Sequence, residues 1–125
     1  MIALCLSAGA LHVALHTQSF TLAWMHSVEK IRWEEDWSIE GKNLHLTSAR
    51  IQGMGAGMEP PLGAILKNGA WHYRPNIEPL QHLLLAHSPY TKEYELCLER
   101  TCKPLSFYLP NLEESAIITL EACER

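Results

Sequence analysis

Apolar and polar residues alternate along much of this chain, and a period of two is the pattern of β-strands that pack on one side. The alternation recurs from one terminus to the other, in segments 2–6, 11–15, 44–52, 94–98 and 116–120. The dipeptide Asn68-Gly69 joins segments 64–66 and 70–73 and favours the type I′ turn of a tight hairpin. We therefore predict an all-β fold, an antiparallel β-sandwich or a partly open barrel of short hairpin-connected strands.

Helix is expected to be scarce in this chain. The apolar segment 80–86 fits either a buried strand or a short helix, and short helical turns are expected near residues 75–79 or 111–115. The length of 125 residues is that of one domain with a sizeable core, so residues 1–125 are predicted to form a single all-β domain.

The longest apolar pattern changes phase near residue 28. Its apolar positions are even at first and odd afterwards: Phe20, Leu22 and Trp24, then Ile31, Trp33, Trp37 and Ile39. Successive side chains of a strand point to opposite faces, so the change predicts a turn or bulge at residues 26–30 between two long strands.

Glu35 interrupts the second half of this pattern, because it occupies an apolar position between Trp33 and Trp37. An unpaired carboxylate on a core-facing position is costly. We therefore expect Glu35 to be mostly buried and paired with a cation or several donors. Arg50, His26 and backbone N–H groups are the candidates.

Hairpin geometry predicts where the neighbouring segments lie. If the strand after residue 43 pairs with the strand before residue 40, residue numbers across the ladder sum to about 83. Arg50 would then lie near Trp33, within reach of Glu34 or Glu35. The loop that begins at Gly53 and the corner at residues 26–30 would fall at the same end of the sheet.

Composition and charge exclude some classes of function. The net charge is -4, and no cluster of Lys and Arg indicates a nucleic-acid surface. No apolar run approaches the length of a membrane span. We expect a cytoplasmic protein, and a periplasmic one if a signal peptide preceded this sequence.

A small set of polar residues could carry chemistry: His26, Ser27, Glu29 and Glu35. A histidine and carboxylates together can transfer protons or bind a metal. The alternative, which we favour over catalysis, is that the residues of the corner bond backbone groups of the turn.

Gly53, Gly55 and Gly57 form a second candidate, since successive glycine N–H groups can cradle an anion, with Arg50 just upstream. The segment is neither a Walker motif nor a dinucleotide fingerprint, and a tight β-corner is the favoured reading. His12 and His16 lie too far apart along one strand to chelate an ion. No metal site and no cofactor is predicted.

The four cysteines allow two cross-links. A two-residue turn at Glu99-Arg100 would place Cys97 opposite Cys102, and Cys5 could meet Cys123 only if the terminal strands are neighbours. With a cytoplasmic location, reduced thiols are favoured.

Several of these residues also resemble a known family. The matching segments are His26-Ser27-Val28-Glu29, Trp33-Glu34-Glu35 with Trp37, Gly53 to Met58, and Tyr94 to Cys97 with Cys102. They resemble the bacterial and archaeal domain-of-unknown-function family eighteen-fifty over about residues 5–105. The resemblance implies an accessory role beside TRAP-type transporters of the TAXI class, which import small organic acids. The partner it implies is a transporter component or a small organic acid.

Three functions remain open from the sequence. The favoured one is a small binding or accessory module linked to organic-acid transport, with an anionic ligand at Arg50 and the glycine loop. The alternatives are a small enzyme that uses His26 with Glu29 or Glu35 as acid and base, and a purely structural interaction domain.

Overall fold

The computed structural model describes residues 1–25, 31–52 and 62–125. These residues form eleven strands and one four-residue helix. The strands are β1 Ile2–Ala8, β2 Leu11–Leu15, β3 Ser19–Met25, β4 Arg32–Glu40, β5 Asn43–Gln52, β6 Ile65–Lys67, β7 Ala70–Tyr73, β8 His82–His87, β9 Glu95–Leu98, β10 Thr101–Pro104 and β11 Ala116–Glu124. The helix is α1, Leu105–Tyr108.

The strands form two antiparallel sheets. A four-stranded sheet has the order β2-β1-β11-β8, and a seven-stranded sheet has the order β10-β9-β3-β4-β5-β7-β6. Mutual backbone hydrogen bonds between Leu44 and Leu80 join β5 to the segment that leads into β8. The arrangement confirms the all-β prediction as a sandwich, not a closed barrel.

The core lies between the two sheets. Leu4, Leu6 and Leu120 from the four-stranded sheet are fully buried, as are Leu22 and Leu96 from the seven-stranded sheet. Burying one such side chain contributes about 1.5–3 kcal/mol. On each long strand these residues alternate with residues of the opposite, outer face, which is the pattern that the sequence predicted.

The hairpins at residues 68–69 and 99–100 have the predicted two-residue turns. Asn68 and Gly69 have φ angles of 52° and 77°, and Glu99 and Arg100 have φ angles of 49° and 72°. Positive φ at both central residues is the type I′ geometry. The segment 82–87 is a strand rather than a helix. The only helix among the described residues lies at Leu105–Tyr108, so its expected position near 75–79 or 111–115 is wrong.

All four cysteines form disulfides, so the expectation of reduced thiols is wrong for this structure. Cys97 and Cys102 lie opposite each other across the β9–β10 hairpin. The terminal strands β1 and β11 are neighbours, and this brings Cys5 to Cys123 across a sequence separation of 118.

A β-bulge divides the long β4–β5 hairpin. From Glu40 to Trp37 the paired numbers sum to 83, as predicted, and from Asp36 to Trp33 they sum to 84. Thr47 is the extra residue, and its hydroxyl donates to the Asp36 carbonyl oxygen at 3.1 Å. Because one residue of register exchanges the two faces of a strand, the bulge changes the face on which Arg50 lies.

Candidate functional site

Charged side chains form a continuous row on the outer face of the seven-stranded sheet. Arg32 donates to Glu34 and to Glu95, both at 2.8 Å. Arg50 donates from Nε to Glu34 at 2.9 Å and from its two terminal nitrogens to Asp36 at 2.6 and 2.9 Å. We call these five residues, on β4, β5 and β9, the outer charge ladder.

Asp36 is fully occupied by this network. It accepts hydrogen bonds from Arg50, and also from the hydroxyls of Thr21 and Ser48, each at 2.7 Å. Burial raises the pKa of Asp36, but the hydrogen bonds from Arg50, Ser48 and Thr21 outweigh it and bring the pKa down to about 2. A carboxylate this acidic is a poor proton acceptor at neutral pH, so Asp36 is structural.

Arg50 is also fully paired with carboxylates, and this argues against the anion site that was predicted at Arg50 and the glycine loop. Its hydrogen bonds to Asp36, and then those to Glu34, raise its pKa above the ordinary value despite burial. All three guanidinium nitrogens donate to carboxylates. An anionic ligand would have to displace one of them, so Arg50 does not offer a free charge to an organic acid.

A groove of about 520 Å³ runs along this outer face. Its lining includes Asp36, Arg50, the Cys97–Cys102 disulfide and Arg100. Apart from the turn residues Glu99 and Arg100, its charged groups are members of the outer charge ladder and already neutralise one another. The groove therefore has little unsatisfied charge with which to select a ligand.

Glu35 lies on the opposite, inner face of the same sheet, as its apolar position predicted. Its partners across the ladders are Leu22 on β3 and Ala49 on β5, both buried. Tyr73 follows on β7, opposite Ala49. Glu35 is intermediate in exposure, so most of its surface is buried, as expected, and a smaller part is accessible.

Several aromatic residues lie near the inner-face position of Glu35. Trp24 and Trp33 lie opposite each other one step along the strands, with ring centroids 6.1 Å apart. Tyr94 continues this row, 5.5 Å from Trp24. We call Glu35 together with Trp24, Trp33, Tyr73 and Tyr94 the Glu35 site.

Arg50, one of the candidate partners of Glu35, does not pair with it, because the two side chains lie on opposite faces. Arg50 instead bonds Glu34, the other carboxylate that the predicted hairpin placed within its reach. None of the described residues forms an ion pair with Glu35, and the one polar group among them that acts on its pKa is the Trp37 indole. That indole N–H is buried and makes no hydrogen bond of regular geometry, so it does not replace an ion-pair partner.

The pKa values of the Glu35 site reflect the absence of a positive partner for Glu35 among the described residues. Burial raises the pKa of Glu35 above its ordinary value, and the Trp37 indole offsets only part of the rise. Burial, and then the negative charge of Glu35, raises the pKa of Tyr73 and of Tyr94. Glu35 is therefore electrostatically coupled to both tyrosines.

Six of the predicted site residues lie outside the described residues: His26, Ser27, Glu29, Gly53, Gly55 and Gly57. The described strand ends next to these two segments, the ends of β3 and β5, can be compared by their pairing with β4. Met25 pairs with Arg32, and Ile51, next to the end of β5, pairs with Trp33. Both segments are thus entered from the same end of the seven-stranded sheet.

Sequence reasoning missed the outer charge ladder and the two tyrosines. Arg32, Glu34 and Asp36 alternate with the apolar positions of β4, a signal that these charges share the outer face. Tyr73 faces Ala49 through the ladder between β5 and β7, and no local sequence signal predicts that these two strands pair.

Within residues 1–25, 31–52 and 62–125, no three His, Cys, Asp or Glu side chains come together to hold a metal ion. No helix in this part of the chain is long and apolar enough to cross a membrane.

Comparison with known proteins gives one match. Residues 20–105 match the family model of a domain of unknown function, DUF1850. The matched residues contain the seven-stranded sheet except Ser19, and therefore both the outer charge ladder and the Glu35 site. No curated protein and no solved structure matches the chain.

Proposed function

Because the chain belongs to the DUF1850 family, whose function is unknown, we propose a function from the site itself: a small all-β module that binds a ligand at the Glu35 site. The observation that carries the proposal is a partly exposed glutamate on an aromatic inner face, without an ion-pair partner among the described residues. A group of this kind costs free energy in the unliganded fold, and folds retain such groups where they serve binding or catalysis.

The contrast with the outer face supports binding at Glu35 rather than in the groove. Glu34 and Glu35 are adjacent in sequence, yet Glu34 accepts from two arginines, and these hydrogen bonds lower its pKa although burial raises it. The outer face is therefore electrostatically complete, and the inner face is not. A ligand that pairs with Glu35 would supply on the inner face the charge partner that Arg32 and Arg50 already supply to Glu34 on the outer face.

The compartment and the partner also belong to the proposal. Two disulfides favour an oxidising compartment, such as the periplasm, over the cytoplasm. The partner implied by the family resemblance is a component of a TRAP-type transporter, and this stays a prediction. The module would then act beside the transporter as a ligand-binding accessory.

An acid–base enzyme is the second candidate, because the raised pKa of Glu35 is the property of a general acid. Its proposed companions His26 and Glu29 lie outside the described residues. A binding module leaves its ligand unchanged, whereas an enzyme alters the ligand spectrum with time, so one nuclear magnetic resonance titration distinguishes the two.

We expect that titrating the ¹⁵N-labelled protein with a set of small amines, alcohols and carboxylic acids will find compounds that move the indole resonances of Trp24 and Trp33. The side-chain resonance of Arg50 should stay in place. Glu35→Gln should weaken this binding at least tenfold. Glu34→Gln is the matched control, because it removes the same charge from the next residue on the opposite face.

Two results would refute the proposed function. In one, compounds move only resonances of the outer face. In the other, Glu34→Gln and Glu35→Gln weaken binding equally in folded protein, as judged from dispersed amide spectra.

A further inference from the structure

We infer that the ligand of the Glu35 site is a small organic ammonium cation, held by the Glu35 carboxylate and by the nearby aromatic rings. This inference rests on the proposed function and adds to it the chemical class of the ligand. It differs from the anionic ligand that the sequence predicted at Arg50.

The members of the Glu35 site share a partly exposed rim of the inner face. Ala49 separates Glu35 from Tyr73, and neighbouring strands are about 4.8 Å apart, so the Cα atoms of Glu35 and Tyr73 are about 10 Å apart. Ala49 itself is buried, whereas Glu35, Tyr73 and the three other aromatic side chains of the site are each partly exposed. A small ammonium group can therefore contact the carboxylate and the rings at this rim without entering the core.

The aromatic rings favour a positive charge over a neutral or negative one. The π face of an aromatic ring carries partial negative charge and attracts cations, and ammonium ligands are typically bound by several rings at once. Trp24, Trp33 and Tyr94 form a row of rings next to Glu35, with centroid distances of 6.1 and 5.5 Å. An organic acid would meet both these faces and the Glu35 carboxylate, and would be repelled by each.

No charged side chain among the described residues pairs with Glu35, so the role of its positive partner is left to a ligand. Arg32 and Arg50, the two arginines of β4 and β5, lie on the outer face and are paired with Glu34, Glu95 and Asp36. Glu35 has no ion pair within the described ranges, and its negative charge extends to Tyr73 and Tyr94. A cation that enters from solvent provides the missing partner.

The test compares choline with 3,3-dimethylbutan-1-ol, in which a carbon atom replaces the charged nitrogen and the shape is kept. Malonate serves as the anionic probe. Dissociation constants are measured by the indole shifts of Trp24 and Trp33 in the intact protein. We expect choline to bind at least tenfold more tightly than the alcohol, and malonate not to shift these signals. Glu35→Gln should remove the preference for choline, while Glu34→Gln should keep it.

The outcomes that contradict the cation inference differ from those that contradict the proposed function. Equal binding of choline and the alcohol at these tryptophans, or tighter binding of malonate, would overturn the cation inference and leave the binding site in place. If none of the amines, alcohols and acids moves these tryptophan signals, both the inference and the proposed function are wrong. The ligand comparison uses the unmodified protein, so it stands even if a variant does not fold.

Discussion

Removing the disulfide between Cys5 and Cys123 is expected to lower the free energy of unfolding by about 4–5 kcal/mol, the largest effect of any change considered for this chain. The two cysteines are 118 residues apart, so the bond closes nearly the whole chain into a loop and removes conformational entropy from the unfolded state. The variant Cys5→Ala with Cys123→Ala should unfold at a much lower urea concentration than the unmodified protein.

The second disulfide supplies the matched control. Cys97 and Cys102 are only 5 residues apart, and the same loop-entropy argument assigns their bond about 2 kcal/mol. Urea unfolding of both double-alanine variants under oxidising conditions measures the difference. If the variant without the long-range bond is at least as stable as the variant without the hairpin bond, loop closure does not explain the role of the terminal cross-link.

Asp36→Ala is expected to destabilise the fold by about 2 kcal/mol at neutral pH. Breaking a fully buried ion pair costs about 3–5 kcal/mol, and the pair of Arg50 with Asp36 is discounted because its side chains are 25% and 31% exposed. The substitution leaves Arg50 without its bidentate partner and removes the acceptor of Thr21 and Ser48. Glu113→Ala, at an exposed site, controls for the loss of one negative charge.

The pH dependence gives this prediction a second readout. The Asp36 pKa is lower in the folded state, about 2, than in the unfolded chain, about 3.9. The unfolded state therefore binds more protons in this interval, and the stabilisation by Asp36 is present above pH 4 and is lost as the pH falls toward 2. The stability difference between the unmodified protein and Asp36→Ala should shrink over that range. A difference that stays constant would show that ionised Asp36 is not its source.

Much of the fold could be predicted from local pattern. The alternation along β1, β2 and β5 identified the strands, and the Asn68-Gly69 and Glu99-Arg100 turns were identified by their spacing. The sequence did not show which sheet each strand joins, because that depends on packing between distant segments. The pairing of β1 with β11, and with it the Cys5–Cys123 bond, is of this kind.

The error about Arg50 has a specific physical cause. Without a bulge, the ladder sum of 83 would place Arg50 opposite Trp33, on the inner face and diagonal to Glu35. The extra residue Thr47 changes the sum to 84 and places Arg50 opposite Glu34, on the outer face. Nothing in the local sequence marks Thr47 as a bulge, and one residue of register decides between an anion site and a saturated ladder.

Glu35 shows what sequence pattern can and cannot give. Its apolar position between Trp33 and Trp37 correctly predicted the inner face. Its partners could not be read in the same way, because Tyr73 and Tyr94 approach from other strands. The expectation of an ion pair came from the cost of burial alone, whereas in the structure Glu35 is mostly buried and the burial raises its pKa instead.

The pKa of Glu35 in the free protein, measured by carbon-detected nuclear magnetic resonance of its carboxyl group, tests the central claim most directly. A carboxylate on an aromatic face without a cation should titrate above the ordinary value of 4.5, while Asp36 titrates at about 2 in the same spectra. A Glu35 pKa at or below 4.5 would mean that the protein already supplies a positive partner, and the site would then have no place for a cationic ligand.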